Sequence, residues 1–446
     1  MAVSPVGAFP AKPGPLVGHF PEYGRDPLGF VTRLAEVGGV VPIRMGPFPA
    51  VVVTDPAAIE EVLVTRARDF RKSMATRRIG VVTGNGILIS EGETWRRHRR
   101  AVQPAFHSDR IRAWADVMTG EASATMGGWR DGEVRDVHRE MTELTLRIVV
   151  RTLMGSDIEP REIDTVGDAV AELTEHFDSR FNGLAFFIPD FVPTPGNLRM
   201  RAAVGRLDRI IFRLISERHS STGEGDDVIS MLLEQRTEAG KRLTDREIRD
   251  EVMTLFLAGH ETTALALTWS LWLLGRNPAA QEALRAELGD VLGHRRPEVG
   301  DLSRLKYTEA VINEALRLYP PAYAVSRESV RPTEIAGHRL GKRTIALVSV
   351  YAAHRNAERF PEPTHFRPER WLDGLSRRLP KGAYVPFAEG PRKCIGASFA
   401  MQEAVLVLAT IASRARLTPE TSRDVLPVPA VTLRPAEPVR MVVEKS

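Results

Sequence analysis

A single cysteine, Cys394, stands in a chain of 446 residues, which excludes any disulfide within the chain and fits a reducing compartment. It equally excludes a zinc site or an iron–sulfur cluster built on several cysteines. Long apolar runs are lacking too: no stretch approaches the roughly 20 residues needed to cross a bilayer. Residues 1–20 carry no charged segment followed by an apolar one, so the protein is expected to be cytoplasmic and without a membrane anchor. An excess of one charge sign is also lacking. Lys and Arg number 61 against 57 Asp and Glu, a net charge of +4, which by itself implies no nucleic-acid partner. Low-complexity segments and internal repeats are absent. With 43% hydrophobic and 26% charged residues, the chain has the makeup of a globular protein with a large core.

What is present is mostly helical. The segment Phe9-Pro10-Ala11-Lys12-Pro13-Gly14-Pro15 is too rich in proline for a helix or a central strand and reads as a stiff lead-in within residues 1–20. Residues 40–44 and 50–54 are short β-prone runs joined by Gly46-Pro47-Phe48-Pro49, which predicts a hairpin. Over residues 56–319 apolar side chains recur at spacings of three and four, predicting a series of helices. The longest is predicted over residues 244–276, opened by the capping box Thr244-Asp245-Arg246-Glu247 and closed by Asn277-Pro278. At about 1.5 Å per residue it would cross the whole domain. Residues 177–195 carry Phe181, Phe186, Phe187 and Phe191 among Pro189, Pro193 and Pro195 and read as a loop or broken helix. Residues 335–350 read as short strands, residues 360–387 as proline-rich coil and residues 395–414 as a last helix. No linker divides the chain. One domain over residues 1–446 is expected, mainly α with small β-sheets: a small β-rich part over residues 21–70 with 320–360, and helices for the rest.

The lone cysteine sits in Phe387-Ala388-Glu389-Gly390-Pro391-Arg392-Lys393-Cys394-Ile395-Gly396. A single cysteine is commonly a small buried hydrophobe. Here Arg392 and Lys393 precede it and a helix follows, and cations and a helix N-terminus both stabilise a thiolate. Gly390 and Gly396 would let the backbone turn tightly and approach a flat ligand. These features favour a metal-ligating thiolate without naming the metal.

The spacing F-x-x-G-x-R-x-C-x-G, matched at Phe387, Gly390, Arg392, Cys394 and Gly396, resembles the haem-binding signature of the cytochrome P450 superfamily. The resemblance implies haem b (iron protoporphyrin IX) with Cys394 as its proximal iron ligand, Arg392 at a propionate, Phe387 near the sulfur and Gly396 close to the ring. Thiolate ligation favours O–O cleavage. It also implies the family's fold, with the long central helix crossing the haem.

That helix contains Ala258-Gly259-His260-Glu261-Thr262-Thr263. One reading is a solvated turn whose hydroxyls bond back to carbonyls. The other follows from the apolar flanks, residues 253–257 and 264–267: a carboxylate among them is inside the protein and needs a partner or a task. An acid beside a hydroxyl, where the helix can open, could relay protons for oxygen activation. The segment resembles the family's oxygen-binding motif (A/G)-G-x-(D/E)-T-(T/S). By that resemblance Glu261 belongs to the proton path, Thr262 holds the hydrogen bonds over the oxygen, and Ala258 and Gly259 leave room above the haem.

Glu314 and Arg317 lie at i and i+3 before Tyr319-Pro320-Pro321, and resemble the family's E-x-x-R pair, with Phe366-x-Pro368-Glu369-Arg370-Trp371 as its partner segment. Glu314, Arg317 and Arg370 are read as a structural triad. In the basic cluster Trp95-Arg96-Arg97-His98-Arg99-Arg100, Trp95 and Arg99 resemble the family's contacts to one propionate, with His98 as a further candidate that points another way on an ideal helix. Arg327, ahead of a strand, resembles the contact to the other propionate. Arg96, Arg97 and Arg100 are solvated, bind nucleic acid or form a docking face for an acidic ferredoxin; the last is favoured, and no nucleic-acid-binding fold is evident.

The resemblance therefore implies a monomeric haem-thiolate monooxygenase fed by NAD(P)H through a ferredoxin and ferredoxin reductase, since no reductase domain follows Ser446. Its substrate would be an apolar small molecule of natural-product biosynthesis: a terpene, with a sesquiterpene as first choice, or a fatty acid. Residues 74–88, 177–191, 252–258 and 322–325 are expected to line the pocket. The alternatives are a peroxide-using peroxygenase or an isomerase of the same fold, and a non-catalytic haem-thiolate sensor or lipid-binding module.

Overall fold

The computed structural model describes residue 14 and residues 17–155, 159–181, 189–220, 227–235 and 242–445. Most of the lead-in at residues 9–15 lies outside the described residues, as do Phe186 and Phe187. The chain divides into two units, one of Met1–Arg78, Arg317–His365 and Gly374–Cys394, the other of Ile79–Leu316, Phe366–Asp373 and Ile395–Ser446.

The first unit is built on the predicted hairpin. Its strands β1 (Val40–Met45) and β2 (Phe48–Val53) pair antiparallel, with Met45 opposite Phe48. The turn is therefore only Gly46-Pro47, where Gly46 takes a φ of +58° that favours glycine; Phe48 and Pro49 belong to the strand. With β3 (Phe70–Lys72), β4 (Ala324–Ser329) and β5 (Ile345–Ser349) they form a five-stranded sheet in the order β1-β2-β5-β4-β3. Only the β2–β5 pair is parallel. Side chains alternate across it. Val51, Val53, Ala346 and Val348 pack with Ile59 and Val62, while Ala50, Val52, Val41 and Ile43 pack on Phe30, Val31 and Leu34 of the helix Pro27–Val37. That helix starts where Asp26 accepts a hydrogen bond from the Gly29 N–H and Pro27 fixes the first turn. Each large side chain so buried contributes roughly 1.5–3 kcal/mol, and a one-residue slip would turn every one of them to the wrong face. The strands expected at 335–350 are Thr333–Ile335 and His338–Leu340, a separate hairpin, and β5. Also in this unit, fully buried Arg317 donates to the carbonyls of His354, Pro363 and His365 at 3.1, 2.6 and 3.1 Å.

The second unit is helical around Asp245–Arg276, a helix of 32 residues, about 48 Å long at 1.5 Å per residue. The capping box forms as predicted: the Glu247 N–H donates to Thr244 Oγ1 at 3.3 Å, and the Thr244 N–H donates to Glu247 Oε2 at 2.9 Å. It ends at Asn277, whose Nδ2 donates to the Leu273 carbonyl at 2.7 Å ahead of Pro278. The helices Val137–Met154 and Ala397–Ala412 pack against it. Residues 177–195 depart from expectation. Phe177 and Phe181 end the helix Pro160–Phe181, and a new helix starts at Pro195, so the described part of the break is residues 189–194. Phe191 is exposed there. Among the described residues no helix is long and apolar enough to cross a membrane.

Two buried carboxyls in this unit contrast. Glu314, fully buried on the helix Lys306–Leu318, accepts from Arg370 Nε and the Arg367 N–H at 3.0 Å each, and from Trp371 Nε1 at 2.9 Å. Glu403, fully buried on Ala397–Ala412, has no hydrogen-bond partner on either oxygen among the described residues. Burial pushes its pKa well up, against a smaller contribution from the nearby Thr263 hydroxyl, and so favours the neutral acid.

Glu314→Ala should strand the buried Arg370 cation and cost about 3–5 kcal/mol in a denaturant titration. A loss within about 0.5 kcal/mol would show that the pair is not buried as described. For Glu403 the sign is opposite to the usual carboxylate: stability is lost as pH rises from the ordinary value, about 4.3, toward the raised one. Glu403→Gln removes that titration, so its denaturation midpoint should gain on the parent's between about pH 4 and pH 7. A difference that stays flat would mean that Glu403 ionises freely in the folded protein.

Candidate active site

In the first unit Cys394 is exposed at the end of a tightly folded segment. Its N–H donates to the Phe387 carbonyl at 2.9 Å, and the Lys393 N–H donates to the Gly390 carbonyl at 3.0 Å. Gly390 has a φ of +71°, and a Cβ there would lie 2.1 Å from the Leu63 carbonyl oxygen, so only glycine fits. Gly396 differs from the reading that both glycines make the turn. Its φ of −86° suits any residue, and it serves as N-cap of Ala397–Ala412, accepting from the Ala400 N–H at 2.8 Å. Arg392 is half-buried beside the cysteine. Arg327 lies within β4 rather than ahead of a strand, opposite Lys72 and Ala346, and is buried.

In the second unit the long helix is buried at Ile248–Phe256 and again from Thr263 to Leu274, but Ala258 is exposed and Leu257, Gly259, Glu261 and Thr262 are half-buried. The helix stays unbroken here. Thr262 Oγ1 donates to the Ala258 carbonyl at 2.7 Å and Thr263 Oγ1 to the Gly259 carbonyl at 3.0 Å, the back-bonding pattern foreseen as one alternative. The hydroxyl oxygens keep their lone pairs. Glu261 has a partner as well: Oε1 accepts from Thr432 Oγ1 at 2.9 Å and Arg434 Nη2 at 2.7 Å. His260 is buried against the Phe256 carbonyl at 3.1 Å, and burial holds its pKa down.

Trp95 and Arg99 lie one turn apart on Gly92–Val102, both half-buried. His98 points instead at the long helix. Its Nδ1 is 2.5 Å from Glu251 Oε1, and its Nε2 lies 3.4 Å from Arg97 Nη2 and 3.6 Å from Glu247 Oε1. Burial opposes its charged form, but Glu251 and then Glu247 outweigh it and hold His98 above its usual value. Burial likewise raises Glu251, against the pull of His98. The basic cluster is thus partly committed inside the unit: Arg97 pairs with Glu247, and Arg96 with Glu93 at 2.9 Å.

The same helix grips the loop at 82–87. Asp250 Oδ2 accepts from the Asn85 N–H at 2.8 Å, Glu251 Oε2 from the Ile87 N–H at 3.1 Å, and Arg249 donates to the Val82 carbonyl at 3.0 Å. Sequence reasoning named neither these links nor Thr432, Arg434 and Glu403. Their only sequence signal is charge inside an apolar helical run, which marks Asp250, Glu251 and Glu403 as needing partners.

A flat, thiolate-ligated haem suits these residues. The lone sulfur is exposed on a turn that requires glycine at 390; in the second unit, taken by itself, the long helix exposes Ala258 beside half-buried Gly259.

The family model described as cytochrome P450 matches residues 9–442. The chain is 39% identical over 432 residues to the cyclooctatin synthase of Streptomyces melanosporofaciens, covering 96% of this chain and 94% of that one. It is 37% identical to the cyclooctat-9-en-7-ol 5-monooxygenase of the same organism, over 91% of this chain and 88% of that one. With the pentalenene oxygenase of Streptomyces avermitilis it shares 37% identity, over 94% and 93%. Among solved structures, CYP175A1 from Thermus thermophillus is similar with a TM-score of 0.77 and 29% identity, over 96% of this chain and 97% of that one. The exposed cysteine on its glycine turn, the open stretch of long helix and these matches agree: the chain belongs to the cytochrome P450 family and is a monooxygenase.

Proposed function

We propose that the protein hydroxylates a terpene, inserting one atom of dioxygen into a C–H bond with electrons passed from NAD(P)H by a ferredoxin reductase and a ferredoxin. Cys394 carries the reading: the chain's one thiol is exposed, backed by a rigid turn and followed closely by a helix N-terminus. When bound, haem supplies an iron whose thiolate ligand favours reductive cleavage of dioxygen.

The chain's own residues supply binding, protons and exclusion. Cys394 would hold the iron; Arg392, Arg327, Trp95 and Arg99 would bind the propionates, charge against charge. His98 is left out of that set because both ring nitrogens face protein partners. Turning RH into ROH and water consumes two electrons and two protons per dioxygen. Glu261 would pass the protons, with one oxygen held by Arg434 and Thr432. Thr262 Oγ, its hydrogen committed to Ala258, presents lone pairs beside it. Ala258 and Gly259 would leave room for the substrate. The terpene assignment is supported by the three relatives, each named for a cyclooctatin or pentalenene compound, and a fatty acid is the other substrate to screen.

The reduced, carbon monoxide-treated protein should show the strongly red-shifted Soret band of thiolate ligation, and Cys394→Ala should lose it. Its absence from folded, haem-supplied protein would end the haem-thiolate reading. With ferredoxin, its reductase and NAD(P)H, Thr262→Ala should divert most of the electrons to hydrogen peroxide, since a group positioned in a proton-transfer path contributes roughly 100-fold or more. Unchanged product per NAD(P)H would remove Thr262 from the relay, and turnover with peroxide alone would favour a peroxygenase.

A further inference from the structure

Glu261 is held from a distant part of the chain. Thr432 and Arg434 belong to the hairpin Pro427–Pro429/Leu433–Pro435, 171 and 173 residues away in sequence. Both donate to the same carboxylate oxygen, Oε1. Oε2 has no protein hydrogen bond among the described residues, and the side chain keeps 19% exposure. A free glutamate on a helix samples several rotamers; a charge-assisted bond and a hydroxyl on one oxygen select one of them and leave the other oxygen open to water or a proton.

We propose that Arg434, assisted by Thr432, is a positioning residue for the monooxygenase reaction: it fixes Glu261 so that Oε2 alone exchanges protons. The proposal rests on the relay role given to Glu261 above. The hairpin is also held by contacts that do not use the Arg434 side chain. Leu433 is fully buried, its carbonyl accepts from Trp269 Nε1 at 3.2 Å, Val428 pairs with Arg434 through the backbone, and the Ala430 and Ala436 N–H groups bond the Thr432 and Leu426 carbonyls at 3.0 and 2.9 Å. Truncating Arg434 therefore removes its bond to Glu261 while these anchors remain.

A neighbouring histidine reports on the Arg434 charge independently of turnover. His138, on Val137–Met154, has its pKa held down by burial first; Asp136 and Glu261 favour its charged form and Arg434 opposes it. Removing the guanidinium should move the His138 titration upward.

The test uses the haem-loaded protein in its reduced carbon monoxide form, with His138 followed by NMR. Arg434→Ala should raise the His138 transition, and Arg434→Lys should keep it near the parent's. In a crystal structure of Arg434→Ala, Glu261 should occupy more than one rotamer. On whichever terpene or fatty acid the parent oxidises, Arg434→Ala should lower product per NAD(P)H several-fold without changing KM, Arg434→Lys should retain most of it, and the Arg434→Ala/Glu261→Gln double variant should be no worse than Glu261→Gln. A single, unmoved Glu261 rotamer in Arg434→Ala would overturn the clamp. Losses that add in full in the double variant would show that Arg434 acts elsewhere. If Glu261→Gln itself couples normally, the relay reading fails; if it uncouples while Arg434→Ala does not, only the clamp fails.

Discussion

The helix Asp245–Arg276 is buried on nearly all sides, and a buried helix can carry a charged side chain only where another element meets it with a partner. Much of the second unit's organisation follows from that constraint. Glu247 takes Arg97 and Glu251 takes His98, which ties Gly92–Val102 to the helix. Asp250 and the second oxygen of Glu251 take the N–H groups of Asn85 and Ile87, and Arg249 takes the Val82 carbonyl, which fixes the loop. Farther along, Glu261 takes Thr432 and Arg434, and Trp269 anchors the same hairpin through Leu433. The charges that look anomalous in an apolar helix are the points at which other elements are registered against it.

The cysteine segment obeys a different constraint. There the backbone decides, because Gly390 runs so close to the Leu63 carbonyl that no Cβ fits. The Phe387 carbonyl then receives the Cys394 N–H. Cys394 itself is exposed.

Local chemistry was legible in the sequence wherever its cause is local. The capping box and the Asn277-Pro278 stop bounded the long helix to the residue because caps act within one turn. The hairpin was foreseen but its turn was overestimated, since Phe48 and Pro49 could equally be strand until Met45 was seen opposite Phe48. At 177–195 clustered prolines and aromatics suggested a break starting too early; Phe177 and Phe181 continue a helix because the prolines that stop helices come only at 189 and beyond. The propionate candidates Trp95 and Arg99 share a face by periodicity alone, while the role of His98 depended on what stands opposite it.

By itself the sequence determined the bounds of the long helix, the presence of the first hairpin, the glycine turn before the lone thiolate candidate, and the acid–alcohol pair on that helix, because spacing, caps and φ preferences act over a few residues. The Glu314–Arg370 pairing was legible through the family resemblance, but only the tertiary structure decided that Glu261 meets Arg434 and Glu251 meets His98, and that Glu403 is buried with no charged partner among the described residues. Those pairings join residues up to 173 positions apart, and burial, which makes an unpaired charge costly and raises the pKa of Glu403, exists only once the chain has closed around them.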